Sequence, residues 1–440
     1  MSGPSSARAR LARTPPPPRE RVPVDAVSFL TVFIVLLFGV PTDHTVIALG
    51  SLGSPALLWA ILGGLWWCWS QLQRSAPEGR SGFTPVRITA LLYLGAVAVS
   101  FVGAMFRGLP STESSPADTG LVRTVAWIGL VLLVSDGVPS YDRLLVLVRR
   151  IALAGALLAL LGLAQFVTGQ SLLDWISIPG FSPSDDTSLQ VRSGFTRPPG
   201  TASHPLEYGY VLATVMPLAL TLALWDAARA RLARWVPVVL IVGAAALAVS
   251  RSTIVGLAVG VLVLLATWTA RMRAIAIVVV VGVVAGVYFL VPGMVGAIAS
   301  LFGGLDGSDS SASSRIGSYD LVLQFVSRSP VIGRGVGTFL PEYRILDNQL
   351  LQSLIEIGVL GVLALLVMSV TVALTAMFAR TGTAIERRMG HGIAAAVAVG
   401  TVLLGTFDVF SFPMATGLYF LVLGLGGAHY RLRTVPPVVV

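Results

Sequence analysis

The chain has 440 residues, 55% of them hydrophobic and 12% charged, with a mean hydropathy of +0.83, which excludes a water-soluble globule. A net charge of +9, carried by 30 basic residues that are all arginine, would point to nucleic acid in a soluble protein, so its distribution decides its meaning. The single cysteine, Cys68, excludes an internal disulfide and a cysteine metal site, and the four scattered histidines show no metal-ligand spacing.

The N-terminal stretch "MSGPSSARARLARTPPPPRERVP" reads as a disordered, basic, Pro-rich cytoplasmic tail over residues 1–24. The first apolar run begins too late, and is too long, for a cleaved signal peptide. From there the apolar periodicity predicts about twelve spans, near 26–42, 45–70, 88–106, 121–138, 144–167, 205–225, 235–250, 253–270, 274–292, 349–378, 391–407 and 414–430. The expected fold class is an all-α integral membrane protein, with a polytopic domain over 25–430 and a short cytoplasmic tail over 431–440.

Arginine sets the orientation, because cytoplasmic segments accumulate it. With the N-terminus inside, 21 of the 30 arginines fall on the cytoplasmic side and both termini are cytoplasmic. The net charge therefore describes topology, and no nucleic-acid partner is expected. Of the nine exceptions, Arg107 and Arg123 flank a short outer loop. The other seven, Arg192, Arg197, Arg251, Arg315, Arg328, Arg334 and Arg344, fall in only three outer segments: long loops at about 168–204 and 293–348, and the tight turn "AVSRSTIVG". An ionisable residue placed against the inside bias is a functional candidate.

The longer outer loop has internal order. "GGLDGSDSSASS" (303–314) is low-complexity. After it Ile316, Tyr319, Val322 and Val326 recur at helical spacing and predict an amphipathic helix on the outer membrane face, ended by Pro330. "VIGRGVGTF" alternates Gly333, Gly335 and Gly337, which suits a tight turn whose backbone amides can approach a ligand. Then comes "LDNQLLQSLIEIGVLG", where Asn348, Gln352 and Glu356 recur at i, i+4 and i+8 and so share one helix face. That polar stripe runs roughly 12 Å into an otherwise apolar span.

Three outer clusters carry chemistry. In "VRSGFTRPPGTASHPLEYGYVLA", Arg192 and Arg197 precede a Pro-Pro-Gly turn, with His204 and Glu207 at the mouth of the sixth span. Arginine's planar fork suits diphosphate oxygens, and the bland alternative is a loop arginine reaching for lipid headgroups. Arg251 sits between Ser250 and Ser252 at a helix turn. Asp347, Asn348, Gln352 and Glu356 form the third cluster, whose bland reading is interhelical contact through amides and the small Gly358 and Gly361. Together they fit an anionic lipid headgroup and a hydroxyl nucleophile: arginines to hold a leaving diphosphate, a carboxylate to take the acceptor's proton. No metal cluster or cofactor is called for.

These residues resemble the O-antigen ligase and O-antigen polymerase superfamily of bacterial membrane glycosyltransferases. The resemblance spans about Leu189 to Gly361 together with the twelve-span layout. "RPPGTASHPLEYG" looks like the family's arginine segment, which would make Arg197 one essential arginine, and "SRS" looks like the second, Arg251. "SRIGSYDLVLQFVSRSPVIGRGVGTF" followed by "DNQLLQSLIEIGVLG" looks like the outer-loop signature. Its usual form is His-Asn, nine residues, Gly, two residues, Gly; Asn348, Gly358 and Gly361 fit, while Asp347 stands where the family has its histidine. The resemblance implies a polyprenyl-diphosphate-linked glycan donor at the outer leaflet, a glycan or lipid-glycan acceptor, membrane lipids as partners, and metal-independent transfer with inversion. Asp347, Arg197 and Arg251 would be catalytic. Arg192, His204, Glu207, Arg315, Asn348, Gln352 and Glu356 would bind substrate, with Gln352 and Glu356 facing a polar cavity. His204 and Glu207 are alternative activators of the acceptor.

The competing class is a multi-pass transporter or exporter, with Glu356 as a coupling carboxylate. A transporter is expected to place polar residues near the midplane of several helices, whereas the ionisable residues here crowd the outer face. A cell-wall glycan polymerase using an outer-loop aspartate ranks third.

Overall fold

The structure is a computed structural model that describes residues 25–73, 84–174, 176, 179–183, 189–192, 194–248, 250–291, 293, 296, 319–378 and 383–434. Each expected apolar run contains a helix: α1 (Ala26–Gly39), α2 (Pro55–Leu72), α3 (Pro85–Arg107), α4 (Ser111–Gly137), α5 (Tyr141–Thr168), α6 (Pro205–Trp225), α7 (Arg231–Leu247), α8 (Arg251–Leu265), α9 (Ala270–Leu290), α10 (Gln349–Met377), α11 (Ala384–Leu403) and α12 (Pro413–Thr434). Six of them, α3, α4, α5, α6, α9 and α10, are long and apolar enough to cross a membrane by length and composition. Among the described residues, the strands are β1 (His44–Val46), β2 (Phe181–Pro183), β3 (Gln190–Arg192) and β4 (Phe195–Arg197), paired antiparallel as β1–β2 and β3–β4. The predicted helix of the long outer loop is present at 319–326, while the linker 303–314 and Arg315 lie outside the described residues.

Two boundaries differ from expectation for local reasons. The run at 45–70 divides into β1, a 3-10 turn and α2, because Gly50 takes φ 50°, and Pro55 restarts the chain as the first helical residue. At its start α4 gains the polar stretch "STESSPADTG", with Glu113 in its first turn where the helix dipole favours a negative charge.

α6 and α12 form the centre of the bundle. The apolar window of α6 is 83% buried, and α12 is buried continuously from Met414 to His429. Glycines allow this density: Gly417 packs on Leu37, Gly424 on Val134, Gly426 on Val372 and Gly427 on Ser135. At the periphery, the apolar window of α9 is wholly unburied.

The two ends of the bundle differ. At one end arginines close onto acids and carbonyls. Arg143 forks onto Asp25, Nε to Oδ2 at 2.6 Å and Nη2 to Oδ1 at 2.5 Å, and Arg149 forks onto Asp226 at 2.7 and 2.9 Å. Arg433 bonds Glu386, and Arg388 lies over the Trp225 ring at 4.7 Å. Asp25 also caps α1 by accepting from the Ser28 N–H; burial opposes its charge, yet the Arg143 and Ser28 bonds hold its carboxyl down at about 2.

The other end is organised around a break in α10. At Gly358 the backbone leaves the helix (φ 65°, ψ −174°). In an unbroken helix Val359 and Leu360 would donate to Ile355 and Glu356. Here they donate to Pro330 (2.9 Å) and Val331 (3.0 Å), while Arg334 and Gly335 donate to Ile355 (2.9 Å) and Glu356 (2.8 Å). The loop after the surface helix is thus inserted into α10, and Ser100 on α3 adds a 2.7 Å bond to the Glu356 carbonyl. Close approach demands glycine on both sides: a Cβ at Gly333 would overlap the Glu356 carbonyl, and one at Gly358 the Val331 carbonyl.

Replacing Gly358 by Ala is therefore expected to lower the melting temperature and to speed hydrogen exchange at Val359 and Leu360. The positive φ alone costs roughly 1–3 kcal/mol in a residue with a Cβ, before the overlap with Val331 is counted.

Candidate active site

The glycine loop presents its amides to a ligand, as the sequence led one to expect, but that ligand is internal. The Glu356 carboxylate, 7% exposed, accepts from the Phe339 N–H (3.4 Å) and from Gln352 Nε2 (3.4 Å). Of the stripe Asn348–Gln352–Glu356, Glu356 faces this docked loop and Gln352 bonds Glu356 beside it. Asn348 caps α10: its Oδ1 accepts from Leu351 N–H (3.1 Å) and its Nδ2 donates to Gly405 O (3.1 Å). Gln349 was not singled out from the sequence, yet its backbone N–H reaches Leu404 O (2.8 Å) and its side chain accepts from Phe410 N–H (2.7 Å). These bonds stitch the start of α10 to the α11–α12 turn.

The Pro-Pro-Gly segment is held as tightly. Buried Gln165 on α5 accepts from Gly200 N–H (2.8 Å) and donates back to Gly200 O (3.1 Å), across a residue at φ 64°. Thr201 donates to Phe38 O (2.6 Å) and accepts from Thr42 N–H (2.9 Å). Glu207 is fully buried, and its carboxylate is saturated by Thr42 Oγ1 (3.2 Å), Ser203 N (3.0 Å), Ser203 Oγ (3.1 Å), Met414 N (2.7 Å) and Ala415 N (3.2 Å). An unpaired buried carboxylate would cost several kcal/mol, so this set explains how the charge is tolerated. Glu207 caps α12 and joins three segments; its oxygens are engaged by protein, which disfavours it as an acceptor-activating group.

Arg197, 6% exposed, ends β4 and directs Nε at the carbonyl of Ala248 (3.4 Å), the last residue before the turn that carries Arg251. Arg251 is half-buried and opens α8, whose N-cap is Ser250. Gly209 on α6 packs directly on Thr253, which brings the start of α8 beside the first turns of α6. The side chain of Arg192, like Arg315, is outside the described residues.

His204 stands between these groups. It caps α6, its Nδ1 accepting from Leu206 N–H at 3.1 Å, and its ring lies 5.8 Å from that of Phe412. Since Nδ1 is an acceptor, the proton of the neutral ring sits on Nε2, so the free edge is a donor and not a base. Burial and the charge of Arg197 lower its pKa, while Asp347 acts in the opposite direction. Asp347 itself is exposed. Its charge also reaches Asp408, whose carboxyl is pushed up to about 6, by burial first, against a bond from Ser411 and with Asp347 adding to the rise. Arg197, His204, Asp347 and Asp408 thus form one electrostatically coupled group at the broken-helix end. Asp408 was noted from the sequence only as lying near an outer end; its separation of 61 residues from Asp347 hid their proximity. No group of His, Cys, Asp and Glu among the described residues has the arrangement of a metal site.

The fold is a multi-helix bundle with helices long and apolar enough to cross a membrane, and Arg197, His204, Asp347 and Asp408 lie near one another at one end of it. Residues 236–366 match the family model described as O-antigen ligase. That segment holds Arg251, Asp347, Asn348, Gln352 and Glu356, and leaves Arg197, His204 and Glu207 outside it. No curated protein matches the chain.

The raised pKa of Asp408 carries a sign. Its neutral form favours the folded state, so its contribution to stability is full below pH 3.8 and is lost as pH rises through about 6. Asp408→Asn is expected to remove this loss, shrinking the difference between thermal melts recorded on either side of pH 6.

Proposed function

We propose that the protein is a metal-independent glycosyltransferase of the cytoplasmic membrane. It moves a glycan from a polyprenyl-diphosphate carrier to an acceptor hydroxyl at the outer face, in the manner of an O-antigen ligase or a surface-polysaccharide polymerase. The observation that carries this reading is the convergence of Arg197, the Arg251 turn, His204 and Asp347 at one end of the bundle, with Arg197 bonded to that turn. The arginine bias of the loops supports a reading with this end outside, both termini in the cytoplasm and about twelve crossings.

The chemistry follows from the charges. The acceptor oxygen attacks the anomeric carbon and forms the new C–O bond as the bond from that carbon to the diphosphate oxygen breaks. The leaving diphosphate gains negative charge, which the guanidinium groups of Arg197 and Arg251 stabilise. Asp347, exposed at the head of α10, takes the acceptor's proton, standing where the family has histidine. His204, with Nε2–H free, donates to a phosphate or hydroxyl oxygen. Attack opposite the leaving group inverts the anomeric centre. Asn348, Gln352, Glu356 and Glu207 hold the segments that present these groups.

Arg197→Ala and Arg251→Ala, inserted at normal levels, are each expected to reduce transfer by roughly 100-fold or more, and Asp347→Asn by a similar factor. Gels that resolve lipid-linked from mature surface glycan check this. Normal surface glycan in both arginine variants would refute the proposal.

A further inference from the structure

Along most of its length the apolar stretch of α9 packs against no described residue. Residues 277–281 are each more than half exposed, and five consecutive residues exceed one helical turn, so no face of this stretch lies against protein. A Cβ at Gly282 or Gly286 would likewise meet nothing within 4 Å. α9 meets the bundle at its two ends. At its far end Val287 and Val291 pack with Phe166, Phe195 and Leu247, and at its start Arg273 Nε donates to Leu265 O of α8 (3.0 Å). The helix from Arg273 to Val287 is roughly 21 Å long, which exceeds the roughly 15 Å of hydrocarbon in one leaflet. α7 and α8 leave apolar side chains exposed as well, among them Leu232, Val236, Val239 and Leu262.

The same two helices, α7 and α9, begin with unanswered charge. Arg231 and Arg234 lie in the first turn of α7, Arg271 and Arg273 in that of α9, and neither first turn has an acid. Cations there oppose the helix dipole, which favours an anion at this position. The acids nearby are taken, Asp226 by Arg149 and Glu386 by Arg433, and among the described residues none of the four arginines has an acidic partner. Arg234 Nε is buried with no hydrogen-bond partner among the described residues. Arg388 ties the two starts together: it lies over the Trp225 ring at the end of α6 and donates to Thr267 O in the α8–α9 turn (2.7 Å). α7 starts at Arg231 and α9 at Ala270, a few residues on from each of these points.

Bulk lipid tails would cover an unpacked apolar helix, but they do not answer four arginines without acids. A basic pocket between membrane helices selects an anionic headgroup, and the guanidinium fork suits phosphate oxygens. We propose that the crevice between α9 and α7–α8 binds an anionic phospholipid, its phosphate among Arg231, Arg234, Arg271 and Arg273 and its acyl chains along α9. The lipid balances the charge at both helix starts and gives α9 the packing that the chain does not. The site lies at the end opposite Asp347 and is independent of the glycosyl-transfer reading.

Native mass spectrometry of the purified full-length protein tests the preference. Dioleoylphosphatidylglycerol is set against dioleoylphosphatidylcholine, which has the same chains and no net charge. Phosphatidylglycerol is expected to bind about tenfold tighter or more and to raise the melting temperature. Glycerol phosphate, which has the charge and no chains, is expected to do neither. Arg231→Gln with Arg234→Gln, and Arg271→Gln with Arg273→Gln, are each expected to remove most of the preference. A phosphatidylglycerol with photoreactive acyl chains is expected to label α9 and α7 ahead of α2, whose Leu65 and Trp69 are also exposed.

Equal affinity for the two lipids, or labelling spread evenly over α2 and α9, means ordinary boundary lipid and overturns the proposal. Glycerol phosphate binding as tightly as the whole lipid reduces the arginines to a surface anion site and overturns it as well. Labelling of α9 by a photoreactive polyprenyl diphosphate, with no preference for phosphatidylglycerol, gives the crevice to a different lipid. A folded pair of variants that keeps the full preference places the phosphate elsewhere. Because the two lipids are compared on the unaltered protein, the proposal stands or falls even where an arginine variant fails to fold.

Discussion

A helix in lipid cannot leave backbone groups unbonded, and α10 opens two of its own hydrogen bonds at Gly358. The structure depends on how that opening is closed. Four backbone bonds from the 330–335 segment replace the two that were lost, and the Glu356 side chain collects further donors from the same loop. Non-helical backbone at this depth is tolerated because it is buried in protein. The exchange fixes the 330–335 segment against α10, and so fixes where the chain leaves toward Asp347.

The carboxylates at this end divide by their surroundings. Glu207 and Glu356 are buried and held by backbone amides, so they join segments. Asp347 is exposed and its field reaches His204 and Asp408. A carboxylate must have oxygens within reach of an incoming hydroxyl to take its proton, which is why the acceptor-side role is proposed for exposed Asp347 and a holding role for the buried pair. At the opposite end every acid named above is closed onto an arginine, an arrangement suited to holding helices together.

Much of this was legible in the chain. Apolar run lengths located the helices, because a span must bury about twenty residues in hydrocarbon. Arginines placed against the inside bias singled out Arg197 and Arg251, and the structure brings Arg197 to the Ala248 carbonyl just before the Arg251 turn. The glycine alternation in "VIGRGVGTF" announced close backbone approach. What it could not announce was the partner, since the bonds run to carbonyls more than twenty residues later and backbone groups carry no sequence signature. Glu113 was hidden for a similar reason: "STESSPADTG" reads as a polar loop, and the side chains that bond its buried carboxylate, Arg334 and Tyr343, lie 221 and 230 residues away. Gln165, Gln349 and Asp408 belong to the same class, polar residues whose roles are set by non-local partners.

The central claim is that the broken-helix end transfers glycan from a lipid carrier. It is tested most directly by deleting the gene in its host and resolving the lipid-linked and mature surface glycans by gel. The account predicts that lipid-linked glycan accumulates at the expense of the mature polymer: single repeat units on the lipid for a polymerase, long chains stranded on it for a ligase. Unchanged amounts of both pools would contradict it and bring the transporter reading forward.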